Sequence, residues 1–483
     1  MDGPSERPAV ADTTRGPATI DPGSTIPPPV VELLEGLWAA GHAGYVVGGS
    51  LRDALLGRPA ADWDLATDAR PEQTVEIFPG AVYENRFGTV AVRRDDTIYE
   101  VTTFRSDHDY ADFRRPHRIE FGDSIEVDLA RRDFTVNAMA WGAPAPGAGA
   151  RPGAGTRPGA GTRPEPRLVD PYGGRADVAA RLIRAVGDPV KRLQEDALRI
   201  VRAVRLAATL ELAIEPTLRA AIEARAEMVR HLSGERIAAE LDKLLATPRP
   251  SGGLRLLTET GVLDHVAPEL AAQRGVSQNK VAGEDLWDHT LRTVDAVPAS
   301  RPVVRLAALL HDIAKPATAA DGHFYGHDRL GAELTAAFLE RLRYPRAVTD
   351  RVAALVRHHM FTYDDGWSDT AVRRFIGKIG RPALDELFEL RAADNVGSGM
   401  PSGAAGLAEL RRRVAEQLAA DVALDRADLV VDGDDLIAEL GLRPGPTIGR
   451  VLDELVERVI ADPALNDRPT LLLLARSLVE VEP

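Results

Sequence analysis

Apolar periodicity changes character once along this chain, and that change limits the folds open to it. Residues 45–142 mix helix with runs such as AVYENRFGTVAVRRDDTIYEVTTF, where Val, Ile, Tyr and Thr alternate with polar residues. That is the period of a half-buried strand. From about residue 175 onward apolar residues recur at three- and four-residue spacing, with Ala and Leu in excess, which predicts helix almost throughout. The fold class expected is α+β: a small mixed α/β head with a β-sheet, then an extended all-helical neck, body and tail. At 483 residues there is room for about three domains with sizeable cores.

Composition excludes several function classes. With no Cys, disulfides, thiolate zinc sites and cysteine nucleophiles are all out. No apolar run approaches the roughly 20 residues of a membrane span, and the first residues lack the apolar core of a signal peptide. A cytoplasmic, membrane-free protein is expected. The net charge of −14 argues against a uniformly basic surface. Residues 186–250, however, carry 11 basic and 10 acidic side chains, so a local basic groove is compatible with an acidic protein. Residues 1–29 hold seven prolines and little periodicity, and read as a disordered tail. Residues 143–166, with six Gly and six Pro, read as a mobile loop. Because apolar segments flank it, that loop is expected to be an overgrown hairpin connection.

The richest segment is YVVGGSLRDALLGRPAADWDLAT. A buried strand, Tyr45 to Val47, ends in Gly48-Gly49, and a helix is expected to start near Ser50. Glycines there let backbone approach a phosphate, the helix N-terminus offers free N–H groups, and Arg52 on the first turn can reach the same anion. Asp62 and Asp64 follow thirteen residues after Gly49 in what reads as a short strand. Residues i and i+2 of a strand share a face, so the two carboxylates converge. Converging carboxylates repel unless a cation holds them, and a pair of Mg²⁺ ions is the usual solution in phosphoryl and nucleotidyl transfer. Glu100, in TIYEVTTFR, is the candidate third acid, with Asp107 and Asp109 as rivals.

Two further patches suit a triphosphate. Arg132 stands in RRDFT, beside a strand. Asp196, Arg199, Arg202 and Arg205 recur at spacing three in GDPVKRLQEDALRIVRAVRLAA and are expected to form one helical stripe. Such a stripe is costly to bury without an anionic partner. The alternative is a solvated face with Asp196 and Arg199 as an intrahelical pair.

In this order GGSLRDALLG, DWDLAT, RRDFTVNA, DPYGGRADVAARLIRAVGDP and EDALRIVRAVRLAA resemble the class II tRNA nucleotidyltransferases. These are the CCA-adding enzymes and bacterial poly(A) polymerases of the polymerase-β superfamily. The resemblance implies that Asp62 and Asp64 bind catalytic Mg²⁺, that Gly49 and Arg52 hold the triphosphate, and that Arg132 contacts nucleotide. It implies that Asp196 and Arg199 hydrogen-bond the base edges of CTP and then ATP, with Arg202 and Arg205 completing the site. An acceptor-only Asp beside a donor-only Arg is able to match the mixed edges of C and A. SDHDYADFRRPHRIEF resembles the family's flexible loop, with Asp112 and Arg115 as its candidates, and SGERIAAELDKLL a neck helix that steadies the nucleotide-reading one.

Farther on, His289, His311-Asp312 and Asp394 have the order H…HD…D. This resembles the HD phosphohydrolase superfamily, in which those four side chains bind a divalent metal inside a helical bundle. His323, His327, His358 and His359 add imidazoles to the same stretch. The last portion resembles the family's tRNA-gripping tail, where Gly441, Gly445 and Gly449 serve either phosphate approach or a tight turn.

The expected division is therefore a tail (1–29), a nucleotidyltransferase head (30–185), a neck that binds base and RNA (186–250), an HD-type domain (251–400) and a tRNA-binding tail (401–483). The expected activity is template-independent CCA addition to tRNA from CTP and ATP. Poly(A) addition, or partial A- or C-addition, is the rival within the same chemistry. A metal-dependent phosphohydrolase acting on RNA ends or nucleotides is the rival from another class.

Overall fold

Strand Gly44–Val47 (β1) stops where Gly48 turns the chain at φ +81°, a left-handed conformation open to glycine. It joins Asp64–Thr67 (β2), Val82–Asn85 (β3), Thr89–Arg94 (β4) and Thr97–Thr103 (β5). A separate ribbon, Arg105–His108 (β6) and Arg118–Phe121 (β7), precedes Ala140–Ala143 (β8) and Arg167–Val169 (β9). The main sheet runs β3-β4-β5-β2-β1-β8-β9. β2 and β5 are parallel, with Leu65 opposite Val101, while the other neighbours are antiparallel. Tyr45, Val47 and Ala66 on one face pack with Phe104, Ile125 and Leu129.

This computed structural model describes residues 22–60, 62–85, 88–108, 118–146, 165–278, 280–420 and 422–480. β8 and β9 pair with Ala140 opposite Val169, so the Gly/Pro-rich insertion does join hairpin neighbours. Residues 147–164 of it lie outside the described residues. The tail expected over 1–29 is corrected at its end. Pro22–Thr25 form a 3₁₀ turn, Pro22 and Ile26 are buried, and helix Pro28–Ala39 buries Val30, Leu33, Leu34 and Leu37. Prolines that read as disorder instead open that helix, where a missing N–H costs nothing.

The chain forms two compact units. The first ends at Leu244 and includes Arg255–Val266; the second is Leu245–Leu254 with Ala267 onward. The first holds the sheet and the helices Pro189–Glu195, Leu198–Leu210 and Pro216–Glu223. The second holds a bundle of Leu286–Ala296, Pro302–Leu310, His327–Arg341, Arg346–His358 and Leu384–Gly397. A further core around Leu436, Leu455 and Leu471 closes its C-terminal part. There Gly441 ends one helix at φ +64° and Gly445 precedes the next, so both belong to a turn, and Gly449 lies within the helix Pro446–Ala461. Among the described residues no helix is long and apolar enough to cross a membrane.

Candidate active site and metal centre

β2 begins at Asp64, so the expected strand does not include Asp62. The alternation survives nonetheless: Trp63 is buried while Asp62 and Asp64 on either side are exposed. Parallel pairing of β2 with β5 brings Glu100, one residue before Val101, beside Asp64. The three acids interact. One edge of Asp64 meets solvent, but the cleft wall desolvates its carboxyl and pushes it up to about 6, with Glu100 and then Asp62 adding to the rise against the opposing pull of Arg132. The cleft, of about 180 Å³, is lined by Asp64, Glu100, Arg105, Asp128, Arg131 and Arg132. Asp107 pairs in β6 opposite Ile119, whereas Asp109, Asp112 and Arg115 lie outside the described residues.

Gly48, rather than Gly49, is the conformationally demanding glycine. A Cβ on Gly48 would meet Arg132 Nη1 at 3.1 Å and Asp64 Oδ2 at 3.7 Å. Gly49 opens the helix Gly49–Leu55. Arg52 on that helix is buried, donating to Asp53 Oδ1 at 2.9 Å and to Asn137 Oδ1 at 2.6 Å. Arg132 pairs with the buried Asp128 at 3.1 Å, and Arg131 and Arg132 together hold that carboxylate below its usual range against the cost of burial.

The stripe expected from Asp196 to Arg205 is interrupted. Asp196 is extended (φ −150°, ψ 110°) and separates the helices Pro189–Glu195 and Leu198–Leu210. Its Oδ1 accepts from Leu198 N, satisfying an otherwise orphaned helix-start donor. Its Oδ2 accepts from Arg236 Nη2 at 2.6 Å. Asp196 and Arg199 are therefore no intrahelical pair. Arg199 instead donates to Glu195 and to the carbonyls of Arg192 and Arg131. Arg202 lies 3.0 Å from Asp133, and Arg205 lies 2.5 Å from Glu240. Each arginine thus has its own acceptor, which offsets the cost of partly burying the stripe. Arg236 and Glu240 belong to the SGERIAAELDKLL helix, read in the sequence as a support for the nucleotide-reading one. Asp128, Asp133, Asn137 and Glu240 escaped the sequence reading as partners of these arginines; for Asp128 and Asp133 their closeness to Arg131 and Arg132 in sequence was the available signal.

A second cluster lies in the helical bundle. His289 sits on Leu286–Ala296, His311 and Asp312 follow Pro302–Leu310, and Asp394 sits on Leu384–Gly397. All four are buried. His289 Nε2 lies 3.0 Å from His311 Nε2, 3.3 Å from Asp394 Oδ1 and 3.4 Å from Asp312 Oδ2. Despite burial, hydrogen bonds to Asp312 and Asp394 hold His289 above its ordinary value, while burial pushes His311 down. Against their own burial, Asp312 is held well below the carboxylate range by His311 and Lys315, and Asp394 by His289 and His311. His327 and His359 join this cluster. His323 stacks on the exposed Tyr325, and His358 lines a neighbouring cavity.

Three family models match in chain order: "Poly A polymerase head domain" over residues 44–184, "Probable RNA and SrmB- binding site of polymerase A" over 211–274, and "HD domain" over 283–398. The CCA-adding enzyme of Geobacillus stearothermophilus is 32% identical over 438 residues, 90% of this chain and 93% of that protein. The chain belongs to the CCA-adding enzyme family. Another member, from Streptococcus suis, is 30% identical over 451 residues, 93% of this chain and 96% of its own. The crystal structure of the Bacillus stearothermophilus CCA-adding enzyme in complex with CTP superposes with a TM-score of 0.66 at 28% identity, covering 94% of this chain and 98% of that one. The Thermotoga maritima CCA-adding enzyme complexed with tRNA shares the fold, with a TM-score of 0.55 at 19% identity, covering 95% and 97%. Membership of the CCA-adding family makes the chain a nucleotidyltransferase. Head and HD domains of these types usually use divalent metals, and the cluster in the helical bundle offers ligands for one.

Proposed function

We propose that this chain adds C, C and A to the 3′ end of tRNA from CTP and ATP, without a nucleic-acid template and in the cytoplasm. The 3′ hydroxyl oxygen bonds to the α-phosphorus, the bond to pyrophosphate breaks, and the hydroxyl proton leaves to a base in the cleft. Asp62, Asp64 and Glu100 would hold Mg²⁺. When bound, Mg²⁺ supplies charge that stabilises attacking and leaving oxygens. The donor set suits it, since all three are hard carboxylate oxygens. The carrying observation is the pairing of β2 with β5, which sets Glu100 beside Asp64 in one cleft with Arg131 and Arg132, and the crowding raises the Asp64 carboxyl. A protein that lacked a cation partner would gain nothing from such repulsion.

Gly49, Arg52 and Arg132 receive the triphosphate, and Gly48 leaves the space that Arg132 occupies. Asp196 and Arg199 read the base. Asp196 accepts one hydrogen bond on each oxygen, which leaves a lone pair on each for an exocyclic amine. Arg202 and Arg205, fixed by Asp133 and Glu240, complete the wall. Asp112 and Arg115 belong to the loop that switches from C to A. The division follows the same reading: head 30–185, neck 186–250, HD-type domain 251–400 and tRNA-binding tail 401–483.

The test is incorporation of labelled nucleotide by Asp62→Ala and Glu100→Gln variants, alongside tRNA binding by filter retention. Incorporation should fall about a thousandfold or more for Asp62→Ala while binding persists, because charge stabilisation is the largest catalytic contribution. Parental incorporation by either variant would contradict the assignment.

A further inference from the structure

Given the assignment of Arg52 to triphosphate and of Arg202 to the base wall, on which this step rests, we infer that Asn137 is a positioning residue for the incoming nucleotide. Its buried amide ties Arg52 through Asp133 to Arg202, so that the two ends of the nucleotide site are set together. The two arginines stand on separate helices, Gly49–Leu55 and Leu198–Leu210. Between them, Arg52 Nη1 donates to Asn137 Oδ1 at 2.6 Å and Asn137 Nδ2 donates to Asp133 Oδ1 at 3.2 Å. Asp133 Oδ2 then lies 3.0 Å from Arg202 Nε. Asn137 and Asp133 are both buried, where such contacts are screened far less than in water.

The residue type follows from its neighbours. Arginine only donates and an ionised carboxylate only accepts. A group that joins them needs an acceptor on one side and a donor on the other, and an amide carries both in one rigid plane. Arg52 is held from its other side by Asp53 Oδ1, at 2.9 Å from Nε and 2.8 Å from Nη2. A Cβ on Gly49 would meet Arg52 Nη2 at 3.4 Å and Nη1 at 3.7 Å, so the guanidinium lies over the glycine turn. Arg132 Nη1 reaches the Asn137 carbonyl at 3.4 Å. Both arginines assigned to the triphosphate therefore lean on one residue.

That residue is firmly seated. Asn137 ends the 3₁₀ turn Thr135–Asn137, and its amide N–H donates to the Phe134 carbonyl at 2.9 Å. Thr135 N donates to the Arg184 carbonyl at 2.9 Å, Val186 N to that of Asp133 at 3.1 Å, and Thr135 Oγ1 to Asp177 Oδ2 at 2.6 Å. Side chains locked by such support hold a site in place, and a change at one end of this chain of contacts is passed to the other. Arg202 is the cation that acts most on Asp133, and Asp133 in turn supports the charge of Arg52. Removing Arg202 therefore leaves Asp133 to draw on Arg52 through the amide.

The test uses full-length protein with Mg²⁺, measuring initial rates of CTP incorporation on tRNA and equilibrium dialysis of CTP and of inorganic tripolyphosphate. Asn137→Asp keeps the acceptor for Arg52 and replaces the donor to Asp133 by a second carboxylate. It should raise KM for CTP about tenfold while leaving KM for tRNA unchanged; a merely structural role would lower the active fraction and leave KM for CTP alone. Arg202→Met should weaken binding of tripolyphosphate, a probe with no base for Arg202 to touch, and should not do so once Asn137→Leu has cut the link. A parental KM for CTP in Asn137→Asp, or tripolyphosphate binding unaltered by Arg202→Met, would overturn the inference. The second measurement keeps Asn137 in place, so it decides whether or not Asn137→Asp folds. A parent that neither binds nor incorporates CTP would remove the nucleotide reading and this inference with it, whereas normal CTP use by the parent beside unaltered variants removes the inference alone.

Discussion

Replacing Arg202 by Met asks whether the neck stripe is anchored as the geometry indicates. Arg202 pairs with Asp133 at 3.0 Å, and the two side chains are 43% and 8% exposed. Burial alone would raise the Asp133 carboxyl; Arg202 and Arg199, with hydrogen bonds from Asn137 and the Phe134 amide, hold it below its ordinary value instead. Removing one partner of a fully buried ion pair costs about 3–5 kcal/mol. Here Arg202 is half exposed, and Asn137 Nδ2 at 3.2 Å and Phe134 N at 2.8 Å remain, so solvent screening reduces the expected cost to about 2 kcal/mol. Asp133→Asn should cost less, about 1 kcal/mol, because it strands a guanidinium that reaches water. The sign of the pH dependence separates this account from simple loss of packing. In the parent, the depressed Asp133 contributes stability at neutral pH that is lost only as pH falls through its folded value. In Arg202→Met the carboxyl rises, so protonation relieves the buried charge and the penalty shrinks between pH 7 and pH 4. Urea unfolding of both variants across that range measures it. A penalty that does not change with pH, or an Asp133→Asn cost exceeding that of Arg202→Met, would refute the reasoning.

Other expectations rest on separate contacts. Gly48→Ala places a Cβ 3.1 Å from Arg132 Nη1 at φ +81°. It should destabilise by about 1–2 kcal/mol and raise KM for CTP, measured by thermal melts and initial rates. Arg305, 1% exposed, donates to the carbonyls of Val297, Leu245 and Thr247. Arg305→Met should therefore cost about 3 kcal/mol in chemical unfolding, and a change under 1 kcal/mol would show those carbonyls satisfied otherwise. Glu240→Gln frees Arg205 from its partner at 2.5 Å. It should weaken nucleotide binding in equilibrium titrations more than it changes tRNA binding.

Much of this site was legible from residue types. Two acids around a buried Trp63, a glycine turn ending a strand, and H…HD…D spacing were all readable as patterns, and pairing of β2 with β5 sets Glu100 beside Asp64. What escaped was decided by contacts distant in sequence. The break at Asp196 is invisible to periodicity because its cap hydrogen bond and Arg236 together outweigh continuation of the helix. Spacing cannot tell His327 from His323, or His359 from the adjacent His358. Helix ends settle both: His327 begins one helix, and His359 follows the last residue of another. The prolines near residue 28 show the opposite error, where composition suggested disorder and position within a first helical turn meant order.

The most direct measurement is nucleotide incorporation on one tRNA that ends at the discriminator base, with Mg²⁺ and CTP and ATP supplied separately and together. Two C residues from CTP alone, followed by one A only when ATP is also present, is the result this account predicts. Long A tails from ATP alone, or no incorporation at all, would contradict it.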